Sequence, residues 1–245
     1  MKFIHTADAH LGSKMDSGLP GDKAKERRSE IRATFLKSVE YAARVKARVY
    51  VVAGDLFDDD KPLKKDKEFF YDTVKRFPEV DFLYLRGNHD SGEAAEDLPN
   101  LKTFSKEWTY YRYGKVVFAG IELCPENALS LYSSLRLSEK DINVVIMHGD
   151  ISEGAGADKI KLAALKDKNI DYLALGHIHY SYTKSLGSRG IARYSGCLEG
   201  RGFDEAGKKG FYEIDIDEET GKTTDKFVSL SQRTIYRYET DVSAA

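Results

Sequence analysis

Cysteine, proline and histidine are all scarce in this chain, and so is any excess of charge. The 2 cysteines among 245 residues, Cys124 and Cys197, lie far apart and form no metal-type or redox-type pair. With 5 prolines and an apolar fraction of 41%, disorder is excluded in favour of an ordered globular chain. No apolar run approaches the length of a membrane span, so no membrane association is expected. The opening MKFIHTADAH has no long apolar stretch and no small-residue cleavage site, so no secretory leader is expected. A cytoplasmic, reducing location is the resulting expectation. The 38 basic and 40 acidic side chains leave a formal charge of −2. That value does not announce a nucleic-acid binder, and it does not exclude one. Divalent ions held in a cleft add positive charge that a residue count never sees.

What is present is an alternation of apolar runs with amphipathic segments, which predicts an α/β domain. The runs KFIHTA, RVYVVAG, DFLYLRG, KVVFAGIEL, INVVIMHG and DYLALGH predict strands, several of them buried on both faces. Residues 21–47 predict a helix with Ile31, Phe35 and Val39 on one face, and 63–77 and 157–168 predict two more. Residues 211–230 read as two strands around a turn near Gly221, and 233–240 as a further strand. No repeat or linker divides the chain. One domain is expected over 1–238, with 211–238 a C-terminal hairpin and strand extension and 239–245 a tail.

Of the 6 histidines, five follow apolar runs: His10, His89, His148, His177 and His179. They sit in DAH, GNHD, MHGD and GHIH, and GDLFD adds a further polar strand end. Loops at the carboxyl ends of strands in an α/β sheet meet along one edge. Carboxylates and imidazoles gathered there are costly unless a cation or hydrogen bonds compensate them. Taken singly, each motif has a plainer explanation, such as a Gly-Asp turn or an exposed histidine pair. Their joint occurrence, each after a strand, is what points to metal.

The donors Asp8, His10, Asp55, Asn88, His148, His177 and His179 include no thiolate, which suits hard or borderline divalent ions. Seven donors are too many for one four-coordinate ion and natural for two ions sharing a carboxylate. Asp55 is the expected bridge, with Gly54 giving the backbone room. Two such ions support in-line displacement at a phosphoryl group.

This run of motifs resembles the calcineurin-like metallophosphoesterase superfamily over roughly residues 1–180. FIHTADAHLG, GDLFD and the late YSGCLEGRGFDEAGKKGFYEIDI are similar to its SbcD-type DNA-repair nuclease branch. The resemblance implies a four-layer αββα sandwich. It implies one metal on Asp8, His10, Asp55 and His179, and a second on Asp55, Asn88, His148 and His177. Manganese is the metal implied first, with iron, zinc, magnesium or nickel as the other candidates. His89 would contact the scissile phosphate, with Asp90 orienting its ring. DNA is the implied substrate, an SbcC-type coiled-coil ATPase the implied partner, and homodimerisation is a further implication. Members of this branch carry a capping domain and an ATPase-docking segment, and about 35 residues after KKGF do not accommodate a separate domain. Competing readings are a phosphoesterase acting on small phosphodiesters, nucleotides or phosphoproteins, and a non-catalytic scaffold that binds DNA ends.

Other residues carry weaker signals. Arg201 in EGRGF and Arg193 are candidate substrate-binding residues. Lys23, Lys25, Arg27, Arg28 and Arg32 could follow a DNA backbone, although Glu26 and Glu30 among them favour a solvated helix face. Tyr110, Tyr111 and Tyr113 fit strand packing better than base stacking. His5, within the first strand, is expected to be a buried structural histidine.

Overall fold

The computed structural model describes residues 1–15, 19–90 and 96–240. In chain order the first elements are β1 (Lys2–Thr6), α1 (Gly21–Arg44), β2 (Val49–Ala53), α2 (Lys64–Arg76), β3 (Asp81–Leu85) and β4 (Leu101–Thr103). Then come β5 (Thr109–Tyr113), β6 (Val116–Gly120), α3 (Leu131–Ser134), β7 (Ile142–His148), β8 (Asp150–Ile151) and β9 (Lys159–Ile160). The last are α4 (Leu162–Leu165), β10 (Tyr172–Gly176), β11 (Tyr182–Ser185), β12 (Ile191–Tyr194), β13 (Gly210–Ile216) and β14 (Thr223–Ser229).

Two six-stranded sheets result, in the orders β14-β13-β1-β2-β3-β4 and β11-β12-β10-β7-β6-β5. In the first, β1 to β4 run parallel and β13 pairs antiparallel with β1. In the second, β12, β10, β7 and β6 are parallel, with antiparallel β11 and β5 at the edges. The C-terminal hairpin is therefore part of the first sheet rather than an appendage to it.

The apolar runs are continuous because each central strand is covered twice. Between the sheets, Phe3, Val51 and Leu83 pack against Phe118, Val144 and Tyr172. The Phe3 ring stands edge-on to Phe118 at 5.2 Å and to Tyr172 at 5.7 Å. On the outer face of the first sheet, Tyr50, Val52 and Phe82 lie beneath Ile31, Phe35 and Val39 of α1 and Phe70 of α2. Truncating the fully buried Phe35 to alanine would cost about 3–5 kcal/mol. The outer face of the second sheet, Val145, Met147 and Leu173, is covered by Leu131, Leu135 and Leu165. Its helical layer is thin, since α3 and α4 have 4 residues each. The layer order is αββα, as the resemblance implied.

Two sequence expectations need correction. The helix expected over 157–168 becomes β9 and the single turn α4, because Lys159 and Ile160 pair with Asp150 and Ile151. The strand expected at 233–240 reduces to one bridge between Gly207 and Ile235. Arg233 holds that segment through ion pairs to Glu26 and Glu30 of α1. His5 is a buried structural histidine, as expected. Its Nδ1 lies 2.9 Å from the Tyr172 hydroxyl and its Nε2 3.2 Å from the Leu175 carbonyl oxygen.

Candidate metal centre

The parallel strands of both sheets end along one edge, and their following loops bring the polar motifs together there. Asp8 and His10 follow β1, Asp55 follows β2, and Asn88 follows β3. His148 ends β7, while His177 and His179 follow β10. All seven predicted donors meet. Asp8, His10 and His179 form one group of donor atoms within 4.8 Å, and Asp55, His148 and His177 form another. Asp55 Oδ2 lies 3.9 Å from His10 Nε2 and 3.3 Å from His148 Nε2, so it stands between the groups. Asn88 Oδ1 is 3.0 Å from His148 Nε2 and 3.2 Å from His177 Nδ1, which places it with the second group.

The local backbone is strained to achieve this. Asp8, His10, Asp55 and His177 have φ values of 51°, 47°, 49° and 103°. Such left-handed conformations cost about 1–3 kcal/mol each in non-glycine residues and persist where the surroundings enforce them. Here the enforcement is visible. The Asp8 and His10 amides donate to Gly54 and Asp55 carbonyls at 3.0 Å. The His177 amide donates to both Asp8 carboxylate oxygens, at 2.9 and 3.1 Å. Gly54, at φ 90°, leaves space that His148 fills: a Cβ there would lie 2.1 Å from Nδ1 of that ring.

The placement of the imidazoles fits cations. His10 Nδ1 faces Asp58 Oδ1 at 3.0 Å, and His179 Nδ1 faces Glu205 Oε1 at 2.6 Å. Glu205 fixes a proton on His179 Nδ1 through that hydrogen bond, whereas His10 Nδ1 is buried without an aligned hydrogen bond to Asp58. The Nε2 atoms of the two rings both point inward, 3.2 Å apart. Two inward imidazole nitrogens this close suit a cation held against both. His148 repeats the pattern, its Nδ1 donating to the Ala53 carbonyl oxygen at 2.9 Å and its Nε2 turned toward the site. Imidazole ligands characteristically hydrogen-bond through their other nitrogen in this way.

The carboxylates draw positive charge into the cluster. Burial opposes ionisation of Asp55, but the hydrogen bond and charge of His148, with His10 behind them, hold its carboxyl well below the usual range. Burial likewise opposes protonation of His148, and Asp55 overcomes it, raising the imidazole to about 9. Burial also opposes ionisation of Glu205, yet His179 and Arg201 bring it down to about 2.

The other predicted residues divide. His89 is exposed beside the cluster, its ring centroid 5.5 Å from that of His10 and its amide donating to Asp55 Oδ1 at 3.0 Å. Asp90 does not meet the expectation that it orients the His89 ring. It is buried, and its carboxylate accepts the amides of Leu56, Phe57 and Gly87 at 2.8–3.0 Å. Three amides facing one carboxylate make it the tie between the loops after β2 and β3. Arg193 is not brought to the cluster either. It is buried against the Tyr212 ring, 4.1 Å from its centroid, and paired with Asp225. Arg201 does reach the centre, where its guanidinium contacts Asp58, Glu205 and His179. Sequence reasoning missed Asp58 and Glu205 as supports. Asp58 is the last letter of GDLFD and Glu205 lies inside GRGFDEAGKKG, so the motifs themselves contained both.

A fold and a site of this kind define a metal-dependent phosphoester hydrolase. The chain belongs to the calcineurin-like phosphoesterase family, whose model matches residues 1–181. It is 27% identical over 237 residues to an uncharacterized metallophosphoesterase, YhaO, of Bacillus subtilis, covering 88% of this chain and 57% of that protein. It is 25% identical to the D component of nuclease SbcCD from Staphylococcus saprophyticus, covering 94% and 69%. It is 24% identical to the DNA double-strand break repair protein Mre11 of Methanopyrus kandleri, covering 89% and 54%. The chain thus spans 54–69% of the length of these relatives. Among solved structures, the fold is similar to TT1561 of Thermus thermophilus, with TM-score 0.57, 14% identity and coverage of 92% and 98%. It is also similar to a dimetal phosphatase from Danio rerio, with TM-score 0.54, 11% identity and coverage of 87% and 92%.

Proposed function

We propose that the protein is a DNA nuclease that cuts phosphodiester bonds with two manganese-type ions. The observation that carries this reading is the convergence of seven donors into two adjacent groups with Asp55 between them. Asp8, His10, Asp55 and His179 would hold one ion, and Asp55, Asn88, His148 and His177 the other. Bound there, such ions neutralise phosphoryl charge and make water a stronger nucleophile. The protein's own part is positioning. Asn88 contributes a neutral oxygen where another carboxylate would repel a phosphate. His89, held by its backbone to Asp55, presents an exposed ring that can protonate the leaving oxygen. Asp90 fixes the loop that carries it.

DNA as substrate and a partner ATPase are supported by relatives named as a component of nuclease SbcCD and as break-repair proteins. Labelled recessed-end and single-stranded DNA, incubated with Mn²⁺, tests the claim. Cleavage no faster than that of His89→Ala would sink it. A second reading, hydrolysis of small phosphodiesters, is favoured by the exposure of Asn88 and His89. Cyclic nucleotides and an aryl phosphodiester, assayed beside DNA, separate the two.

A further inference from the structure

One guanidinium ties together the two carboxylates that brace the first donor group. Glu205 is hydrogen-bonded to His179 Nδ1 at 2.6 Å, and Asp58 lies 3.0 Å from the buried His10 Nδ1, which has no aligned hydrogen bond. Arg201 reaches Asp58 through Nη1 at 2.5 Å and Glu205 Oε1 through Nη2 at 3.2 Å. The second Glu205 oxygen accepts the Arg201 backbone amide at 2.7 Å, closing the loop on itself. Arg27 of α1 anchors that loop by donating to the Gly200 carbonyl. The geometry is maintained at a cost, because Arg201 Nε is buried with no hydrogen-bond partner.

Among the described residues, the second donor group has no equivalent clamp. His148 is braced by a neutral backbone carbonyl. Among the described residues, His177 makes no ion pair with a carboxylate. A carboxylate behind an imidazole fixes its orientation and strengthens it as a donor, and losing such a support typically costs 10–100-fold in metal affinity.

We propose that the Asp58–Arg201–Glu205 clamp makes the two cation sites unequal. The site on Asp8, His10 and His179 fills first and retains its ion, and the site on Asn88, His148 and His177 exchanges. Arg201 is thereby a positioning residue rather than a substrate contact. The idea rests on the two-ion reading of the centre and adds an order of loading to it.

Calorimetric titration of the chelator-treated, dialysed protein with Mn²⁺ tests this without any substrate. The wild type should show two binding events at least about tenfold apart. Glu205→Gln and Asp58→Asn, which remove charge but keep shape, should each weaken the tighter event by about tenfold or more. Both should leave the weaker event in place. His177→Asn should abolish only the weaker event, which assigns it. Thermal unfolding in chelator checks that the isosteric variants fold, and the two carboxylates lie in separate loops, so either variant suffices. A tighter event unchanged in both variants, or equal losses at both sites in folded variants, overturns the clamp. A wild type that binds fewer than two ions overturns the two-ion reading itself.

Discussion

Asn88, His89 and Asp90 are consecutive, yet burial assigns them different work. His89 is exposed, so His89→Ala should leave the melting temperature unchanged while lowering the hydrolytic rate by about 10²–10⁴-fold. Asp90 is buried on three amides, so Asp90→Ala should cost about 3 kcal/mol and lower the rate as well. Thermal melts beside rates check the pair. An Asp90→Ala protein that melts like wild type would refute the tie between loops. His5 offers a pH test away from the metal centre. Burial pushes its imidazole down to about 3, whereas the unfolded chain titrates near 6.5. The unfolded state therefore binds a proton that the folded state refuses. This contribution is fully present above pH 6.5 and is lost at about 1.4 kcal/mol per unit as pH falls toward 3. In urea unfolding with chelator, the stability gap between wild type and His5→Gln should narrow by about 3 kcal/mol from pH 7 to pH 4. A constant gap would contradict it. The convergence of these seven side chains was legible because polar residues after apolar strands are conspicuous. The pairings of Asp58 and Glu205 were not, since Arg201 meets Asp58 across 143 positions.

At the scale of elements, burial decided what could be read. β1, β2, β3, β6, β7 and β10 are covered on both faces and announce themselves as apolar runs. β4 and β11 are short and partly exposed, and β12 is short and follows a glycine turn, so composition hardly marks them. The basic face of α1 was ambiguous from sequence, and the structure assigns much of its charge internally. Arg27 pairs with Glu30, Arg28 donates to the Lys14 carbonyl, and Arg32 pairs with fully buried Asp66. Arg32→Ala should therefore destabilise the protein by about 2–3 kcal/mol, below the figure for a fully enclosed pair because Arg32 is partly exposed. Exposed Lys25 should be replaceable by alanine within about 0.5 kcal/mol. Equal melts for the two variants would mean that the Arg32–Asp66 pair contributes nothing.

For the whole molecule, the decisive fact is that the donors come from both sheets. β1, β2 and β3 deliver Asp8, His10, Asp55 and Asn88 from one, and β7 and β10 deliver His148, His177 and His179 from the other. Strand patterns alone are compatible with this sandwich but do not produce it. Lys2 pairs with Asp215 across nearly the whole chain, and no local signal specifies such a partner. A cation bound between the sheets must act on global stability, because the unfolded chain scatters its ligands. Free ion at 100 times its dissociation constant adds about 2.7 kcal/mol to folding. For a domain of this size that is about 5–10 °C in melting temperature. Mn²⁺ should therefore raise the melt of the wild type by that amount over chelator. Asp55→Asn weakens the carboxylate between the groups and should lose most of the shift, while His89→Ala should keep it. A shift of the same size in Asp55→Asn would mean that the ion stabilises the fold from somewhere other than the seam between the sheets.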